Sequence, residues 1–511
     1  MKRLLPLLLL LGAFGACDQA DSTTAGDHTE TAADGKEAKY TADWESLEKV
    51  NESPEWFADS KLGIYFHWGP YVVPENSSEW YPRNMYVKSQ DAFKHHKATY
   101  GDQSEFGYHD FIPMFTAEKF DAERIADLMV TAGAKWGGPV AQHHDGFAMW
   151  DSEVNPWNAA DMGPKKDITG EMAKALRARG LKLITSFHHA RNLQRNAKDE
   201  KNWEGWSSHY PYNPDWATSS EDEKLRLLYG NVPAEEWYPY WLKQLEEVID
   251  QYDPDIIWFD VWLNMIPEQY RKDFVAYYLN HADAKGKEVV IAHKKDDLPI
   301  DVSILDIEQG GKKDVSERVW LTDITLSNQS WSYVKGQTYK DPALVIRNFI
   351  DVISKNGVVL LNISPRADGS IPPEQVEVLE KMGAWLKANG EAVYGTRPRS
   401  EFGFGSAKAE EGKYGGQTAT VQYGPGDVRF TEAKDHSAIY VHFLGAPERG
   451  KKVELGSLQK ISFPPKTPVK RATMLVSGTE IEFAFNDLEH WIKLPNEPMD
   501  EIATVVKLEL E

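Results

Sequence analysis

Between Leu62 and Ile363 the chain returns again and again to one pattern, a short apolar run that stops at polar residues. The sharpest case is Asp255-Ile256-Ile257-Trp258-Phe259-Asp260, introduced by Pro254 and ended by a carboxylate. Such a run fits a strand buried on both faces, as in a parallel sheet. The other runs are Leu62–Gly69, Gly137–Gly146, Leu181–His189, Glu288–His293, Val302–Ile307, Val319–Ile324 and Val358–Ile363. Helical patterns separate most of them: Ala117–Ala132, Ile168–Arg179, Trp237–Tyr252, Glu268–His281 and Leu344–Ser354. Eight strands alternating with helices predict a (β/α)8 barrel. No helix is marked between the fifth, sixth and seventh strands, so the barrel is expected to be irregular there. Pro372-Pro373 opens a last helix, Glu374–Ala388, closed by Asn389-Gly390.

Beyond about Thr396 the pattern changes. Short alternating segments at Thr418–Tyr423, Ala438–Leu444, Val453–Leu458, Ala472–Val476, Ile481–Phe485, Trp491–Leu494 and Ile502–Leu510 predict a small antiparallel β-sandwich. At the other end, Lys2-Arg3, the apolar run Leu4–Leu11 and the small residues before Cys17 read as a signal peptide. Gly15-Ala16-Cys17 is similar to a bacterial lipobox, and Cys17 is the only cysteine of the chain. The expected outcome is an exported protein held to the bacterial envelope by a lipid on Cys17, or otherwise secreted. Residues 18–41, polar and poor in large apolar groups, read as a flexible tether. The division expected is 1–17 signal peptide, 18–41 tether, 42–397 barrel and 398–511 sandwich.

A net charge of −22 argues against nucleic acid as a partner. One cysteine excludes an intrachain disulfide and a multi-thiolate metal site. The chemistry must come from the strand ends. His67 closes the first strand, His143 and His144 the second, His188 and His189 the third, Asp260 the fourth. His293, Lys294 and Lys295 close the fifth, and Glu308 the sixth. Polar groups gathered at the C-terminal ends of barrel strands form the rim where barrel enzymes do chemistry. Neighbouring residues on a regular strand point to opposite sides, so His143 and His144 cannot ligate one ion together. Zinc-type spacing is also absent, and no metal or other cofactor is expected. Glycoside hydrolysis needs two carboxyl groups. Asp260 is one, and Glu308 is the candidate partner. Glu317, in a charged loop, remains its rival, whereas Glu288 starts a strand and falls at the wrong end of the barrel.

Several blocks carry a family resemblance. They are Gly63–Gly69, Ser78-Glu79-Trp80-Tyr81-Pro82-Arg83-Asn84-Met85-Tyr86, His143-His144-Asp145-Gly146-Phe147, Trp258-Phe259-Asp260 and Leu360-Leu361-Asn362-Ile363-Ser364-Pro365. Together, from about Trp44 to Arg397, they resemble glycoside hydrolase family 29, the α-L-fucosidases. The resemblance implies a retaining exo-α-L-fucosidase that removes terminal fucose from glycans through a covalent intermediate. Asp260 then matches the nucleophile, and Glu308 is chosen as acid/base by chain order. His67, Glu79, Trp80, His143 and His144 match residues that bind fucose hydroxyls, and Trp258 matches a residue lining the sugar pocket. His188 stands where relatives often carry Tyr, and Lys294 where Arg is expected; both are taken as substrate-binding. Two other readings stay open: a non-catalytic glycan-binding lipoprotein on the same scaffold, and an exo-hydrolase of modified, sulfated fucose.

Overall fold

A computed structural model describes residues 38–50, 52–413, 420–455, 468–486 and 489–511. The signal peptide with Cys17, and the expected tether up to residue 37, lie outside the described residues. Order is already established at Tyr40, whose backbone N–H donates to Asn280 Oδ1 while Asn280 Nδ2 donates back to the Tyr40 carbonyl. Among the described residues no helix is long and apolar enough to cross a membrane.

Eight parallel strands close into a barrel: β1 Leu62–Phe66, β2 Trp136–Gln142, β3 Lys182–Phe187, β4 Ile256–Phe259, β5 Val290–Lys294, β6 Ile304–Asp306, β7 Trp320–Thr325 and β8 Gly357–Ile363. Closure is made by β1 against β8, from Leu62↔Val359 to Phe66↔Ile363. Side chains alternate along a strand, so every second residue enters the barrel. Tyr65, Val140, Ile184, Trp258, Ala292, Leu321 and Leu360 form one interior cluster. The next inward position on most of these strands is polar: His67, Asp260, Lys294, Asp323 and Asn362 each follow an interior residue by two. The rim of chemical groups is thus the top layer of the same two-residue period that packs the core.

On β2 the period is broken deliberately. Val140 pairs with Ser186 but Gln142 pairs with Phe187, so β2 carries one extra residue at Ala141. That bulge shifts the facing parity and re-aims the chain end. The strand stops at Gln142, and His143 and His144 leave it in a turn.

The helices follow the apolar spacing. In α1, Ala122–Thr131, Asp121 accepts from the Arg124 N–H as N-cap. It therefore begins later than the sequence pattern predicts, because the cap residue cannot itself be helical. α2, Ile168–Ala178, is capped by Asp167 and stops before Gly180 at φ +73°. α3 spans Ala234–Tyr252, α4 Glu268–Ala284, α5 Pro342–Ser354 and α6 Pro373–Asn389. No helix lies between Lys294 and Trp320, and β6 meets β7 at a single pair, Asp306↔Leu321. There Gly310–Gly311 pairs antiparallel with Gly412–Lys413, and Lys313 N donates to Glu411 Oε2 at 2.9 Å. The C-terminal region therefore lies against the strand connection that follows Glu308.

The C-terminal region is a sandwich of two antiparallel sheets. Five strands run in the order β9 (Thr396–Phe404), β10 (Val428–Ala433), β11 (Ala438–Phe443), β16 (Thr504–Leu510), β13 (Val469–Met474). Three run β12 (Lys452–Glu454), β15 (His490–Lys493), β14 (Phe483–Phe485). Phe430, Val441 and Val506 of the first sheet pack with Leu455 and Ile492 of the second. The opposite face of the larger sheet, with Tyr440 and Val505, joins the barrel core.

Two expectations are corrected here. Thr418–Tyr423 was expected as a strand; 418 and 419 lie outside the described residues, and 420–423 form no strand. Helix α5 takes up its backbone groups instead: Asn348 Nδ2 donates to the Val421 carbonyl and Arg347 to that of Tyr423. Conversely β9 and β10 are strands that sequence reading passes over. In β10 the outward Arg429 is buried by an ion pair to Asp351 of α5, so its charge marks an interface and not a loop.

Candidate active site

Asp260 leaves the end of β4 with its N–H bonded to the Phe187 carbonyl of β3. That bond extends the strand pairing by one residue and fixes the carboxyl over the barrel mouth. One oxygen, Oδ2, lies 3.2 Å from His144 Nε2 and 3.3 Å from His188 Nδ1. Only the His144 contact has hydrogen-bond geometry. The other oxygen, Oδ1, lies 3.1 Å from Lys294 Nζ. Burial by itself would raise the Asp260 carboxyl, but the Lys294 charge and the two imidazoles outweigh it and hold it well below 3.8. The group is an exposed-tip carboxylate, 11% accessible, ionised across the neutral range.

Lys294 is the hinge of the site. Its ammonium also contacts Glu308 Oε2 at 2.8 Å and Asp323 Oδ2 at 3.3 Å. Burial disfavours the charge, yet Asp323, Glu308 and Asp260 together keep its pKa well above 10.5. The two contacts at 2.8 and 3.1 Å bound the Glu308 and Asp260 oxygens to less than about 6 Å apart. Carboxyl pairs of retaining glycosidases stand about 5–5.5 Å apart. Glu317 has no part in this arrangement. It precedes β7 and lines a cleft at the opposite end of the barrel with Val289, Val302 and Val319. Glu288 is exposed at that same end.

Two of the expected contact residues are engaged by the protein itself. Lys294, expected to reach substrate, donates to Glu308 Oε2 and Asp323 Oδ2 and lies 3.1 Å from Asp260 Oδ1, so it bridges the acids. Trp258, expected to line the sugar pocket, is completely enclosed and gives its indole N–H to Asp306 Oδ2 at 2.8 Å. The reason is parity: two residues before Asp260 is one layer deeper in the barrel. It forms a floor under His188, with ring centroids 5.2 Å apart.

The remaining expected residues converge. His67 Nδ1 faces Asn362 Oδ1 at 2.8 Å. Asn362 turns its Nδ2 to Thr325 Oγ1 and the Trp331 carbonyl, so its oxygen is the atom facing His67. His67 Nδ1 therefore carries the proton and Nε2 is the acceptor. His143 lies 5.5 Å from His67 and 4.3 Å from His188 between ring centroids. Burial pushes His67 and His143 well below 6.5 and His144 to about 4, keeping all three neutral. Glu79 is buried, and its Oε2 accepts from Ser330 Oγ and from the N–H of Trp331 and Ser332. Burial still raises its pKa above 4.5. Trp80, half-buried, packs on His144 at 5.2 Å. The turn that carries the histidines is held by Asp145, which accepts from Tyr108 Oη at 2.6 Å. Gly146 there adopts φ +82°, and a Cβ would meet the Leu228 carbonyl at 2.8 Å.

Sequence reading missed several groups. Asp323 accepts from Tyr65 Oη at 3.0 Å as well as from Lys294, and it lies beside buried Asp306; burial raises both carboxyls, aided at Asp306 by the Asp323 charge and at Asp323 by Glu308 and Asp260. Its signal was available: it follows the interior Leu321 by two on β7. Trp331 packs on His67 at 5.3 Å. Trp262, two residues beyond Asp260, is held at φ +86°, with the Arg191 guanidinium 4.8 Å from its ring. Arg191 also stacks on Trp80 and on Trp206, which is 62% exposed. No local pattern announces these loop positions.

The geometry has clear counterparts. The α-L-fucosidase family model matches residues 28–391. The tissue α-L-fucosidase of Rattus norvegicus is 30% identical over 483 residues, 90% of this chain and 89% of the relative. The human plasma α-L-fucosidase is 29% identical over 431 residues, 81% of this chain and 80% of the relative. Among solved structures, the α-fucosidase of Thermotoga maritima in complex with fucose superposes with a TM-score of 0.71 at 28% identity, covering 92% of this chain and 100% of that one. The same enzyme with a mechanism-based inhibitor superposes with a TM-score of 0.70 at 27% identity, covering 92% and 99%. With the barrel, the sandwich and the acid pair in place, the chain belongs to the α-L-fucosidase family, glycoside hydrolase family 29.

Proposed function

We propose that the protein is a retaining exo-α-L-fucosidase that releases terminal α-L-fucose from glycans. The observation that carries this is Asp260 and Glu308 meeting on one lysine at the barrel mouth, at a spacing suited to retaining chemistry. Asp260 attacks the anomeric carbon as the leaving oxygen takes a proton from Glu308. Water activated by Glu308 then opens the fucosyl ester. His144 orients Asp260 by its bond to Oδ2. The acceptor Nε2 of His67 and the buried His143, with Glu79, grip ring hydroxyls. A wall contact with the fucose methyl supplies only about 1–3 kcal/mol of discrimination, so slow hydrolysis of galactose-configured analogues is expected.

The test uses an aryl α-L-fucoside. Azide should restore turnover to Glu308→Ala by displacing Asp260 from the fucosyl ester, forming the α-fucosyl azide. Absence of rescue there, with rescue in another carboxylate variant, reassigns the acid/base. Proton NMR of the first product should show the α anomer; the β anomer refutes retention.

Export and lipidation at Cys17 are part of the same proposal and rest on Lys2–Cys17. Palmitate labelling of the expressed chain should vanish in Cys17→Ala; a label that persists removes the anchor.

A further inference from the structure

The histidines over the barrel mouth have a second chemistry available. His67, His143 and His188 each offer a ring nitrogen, and these atoms lie within 4.8 Å of one another. All three side chains are buried. His143 Nδ1 and both nitrogens of His188 have no hydrogen-bond partner. Buried nitrogens left unpaired cost free energy unless something occupies the space between them. His67 Nδ1 is committed to Asn362, which leaves the Nε2 lone pair and locks the ring. A second-sphere bond of this kind is how ligating imidazoles are oriented.

The protonation state agrees. Burial first, then the neighbouring His188, keeps His67 and His143 neutral. A neutral imidazole is the ligating form, and imidazole suits zinc, copper and nickel. Tetrahedral zinc with Zn–N bonds of about 2.0–2.1 Å needs nitrogens about 3.4 Å apart. The cluster's nitrogens, within 4.8 Å of one another, have at most about 1.4 Å to close to reach that spacing. A second group, His144, His188 and Asp260, also lies within 4.8 Å. Its carboxylate already holds the Lys294 ammonium at 3.1 Å, and a dication there would face that charge. The three-imidazole group has no such cation in contact. The two groups share His188, and His143 belongs to one and His144 to the other.

We propose that His67, His143 and His188 bind one divalent transition-metal ion, zinc foremost, in the sugar-free protein, and that the ion and the glycone exclude one another. The ion is not a cofactor of hydrolysis; it takes the nitrogen lone pairs that a sugar hydroxyl would use. Only this exclusion rests on the fucosidase reading, and metal binding is measured without substrate, so the two can fail separately.

The experiment is titration calorimetry of the full chain, stripped with chelator, using zinc chloride. One ion per chain is expected. His143→Gln and His188→Phe should each weaken binding by at least tenfold, while His144→Gln stays within twofold. Saturating L-fucose should weaken zinc binding in the parent chain, and zinc should inhibit aryl fucoside hydrolysis competitively. Circular dichroism melts report whether each variant folds. If one does not, anomalous diffraction at the zinc edge on the parent chain decides, with a peak expected between the three rings. No zinc bound, binding unchanged in His143→Gln, loss in His144→Gln, or a peak elsewhere each overturns the proposal.

Discussion

Two of the buried charge clusters among the described residues are built on opposite plans. At the contact of barrel and sandwich, Asp351 of α5 accepts from Arg429 Nε at 2.6 Å and from Lys355 Nζ at 2.8 Å. Arg429 gives its other N–H groups to the carbonyls of Phe404, Val428 and Ala407. Lys355 and Arg429 both lie over the Phe402 ring. The cations are in surplus, and dipoles and ring faces absorb the excess. At the barrel mouth one cation, Lys294, serves Asp260, Glu308 and Asp323. There the anions are in surplus and partners run short: Asp323 Oδ1 and His188 Nε2 have no hydrogen-bond partner. A closed network glues two layers together. An under-supplied one projects a field into an open mouth, and a negative field suits the oxocarbenium-like transition state of glycoside cleavage.

That contrast predicts activity loss with little stability loss at one cluster and the reverse at the other. The largest effect belongs to Asp260→Ala: kcat on an aryl α-L-fucoside should fall by on the order of 10⁴-fold or more. Its urea midpoint should fall only slightly: ionised Asp260 stabilises the fold, but Lys294 keeps Glu308 and Asp323 as partners. A large drop in stability would erase the distinction. Next comes Arg429→Met. Breaking a buried pair leaves Asp351 short of a partner and should cost about 3–5 kcal/mol in urea unfolding, with kcat/KM within twofold. Loss of activity in the folded variant would tie the interface to the site.

Lys294→Met comes third, with kcat/KM lowered by on the order of 10²–10³-fold. Its pH profile is the sharper readout. Lys294 depresses the Asp260 pKa below 3.8, so the carboxylate stays ionised into acid. Without that charge, burial dominates and the carboxyl titrates higher. The acidic limb of kcat/KM must therefore move up in pH. The stability that ionised Asp260 contributes in the parent chain, present above its unfolded pKa and lost as pH falls through the folded one, is then absent from the variant. An unmoved limb would show that Lys294 does not set the nucleophile. Glu317→Gln should do least, changing kcat/KM less than twofold, because it belongs to neither cluster and lies at the far end of the barrel.

Legibility followed the same division. Barrel strands were readable because burial on both faces leaves uninterrupted apolar runs, as in Ile256–Phe259 and Val358–Ile363. The gap in the helix ring between Lys294 and Trp320 was readable too, since no amphipathic period occurs there. The sandwich was readable in kind but not strand by strand. In β10 the buried Arg429 breaks the apolar pattern, and Val421 loses its strand to the side chain of Asn348. Site residues at the ends of strands β1 to β6 were found by position, but their partners were not.

From sequence alone came the period of two, the eightfold strand count, the polar rim and the identity of Asp260 as its leading acid. These follow from covalent alternation and burial, which act along the chain. Tertiary structure decided which charges meet. It made Lys294 a bridge between acids and set Trp258 beneath His188. It brought Asp323, 63 positions after Asp260 in the chain, onto the same ammonium, and moved Glu317 out of contention. Electrostatics acts through space over a few ångströms, and only closure of the barrel sets those distances.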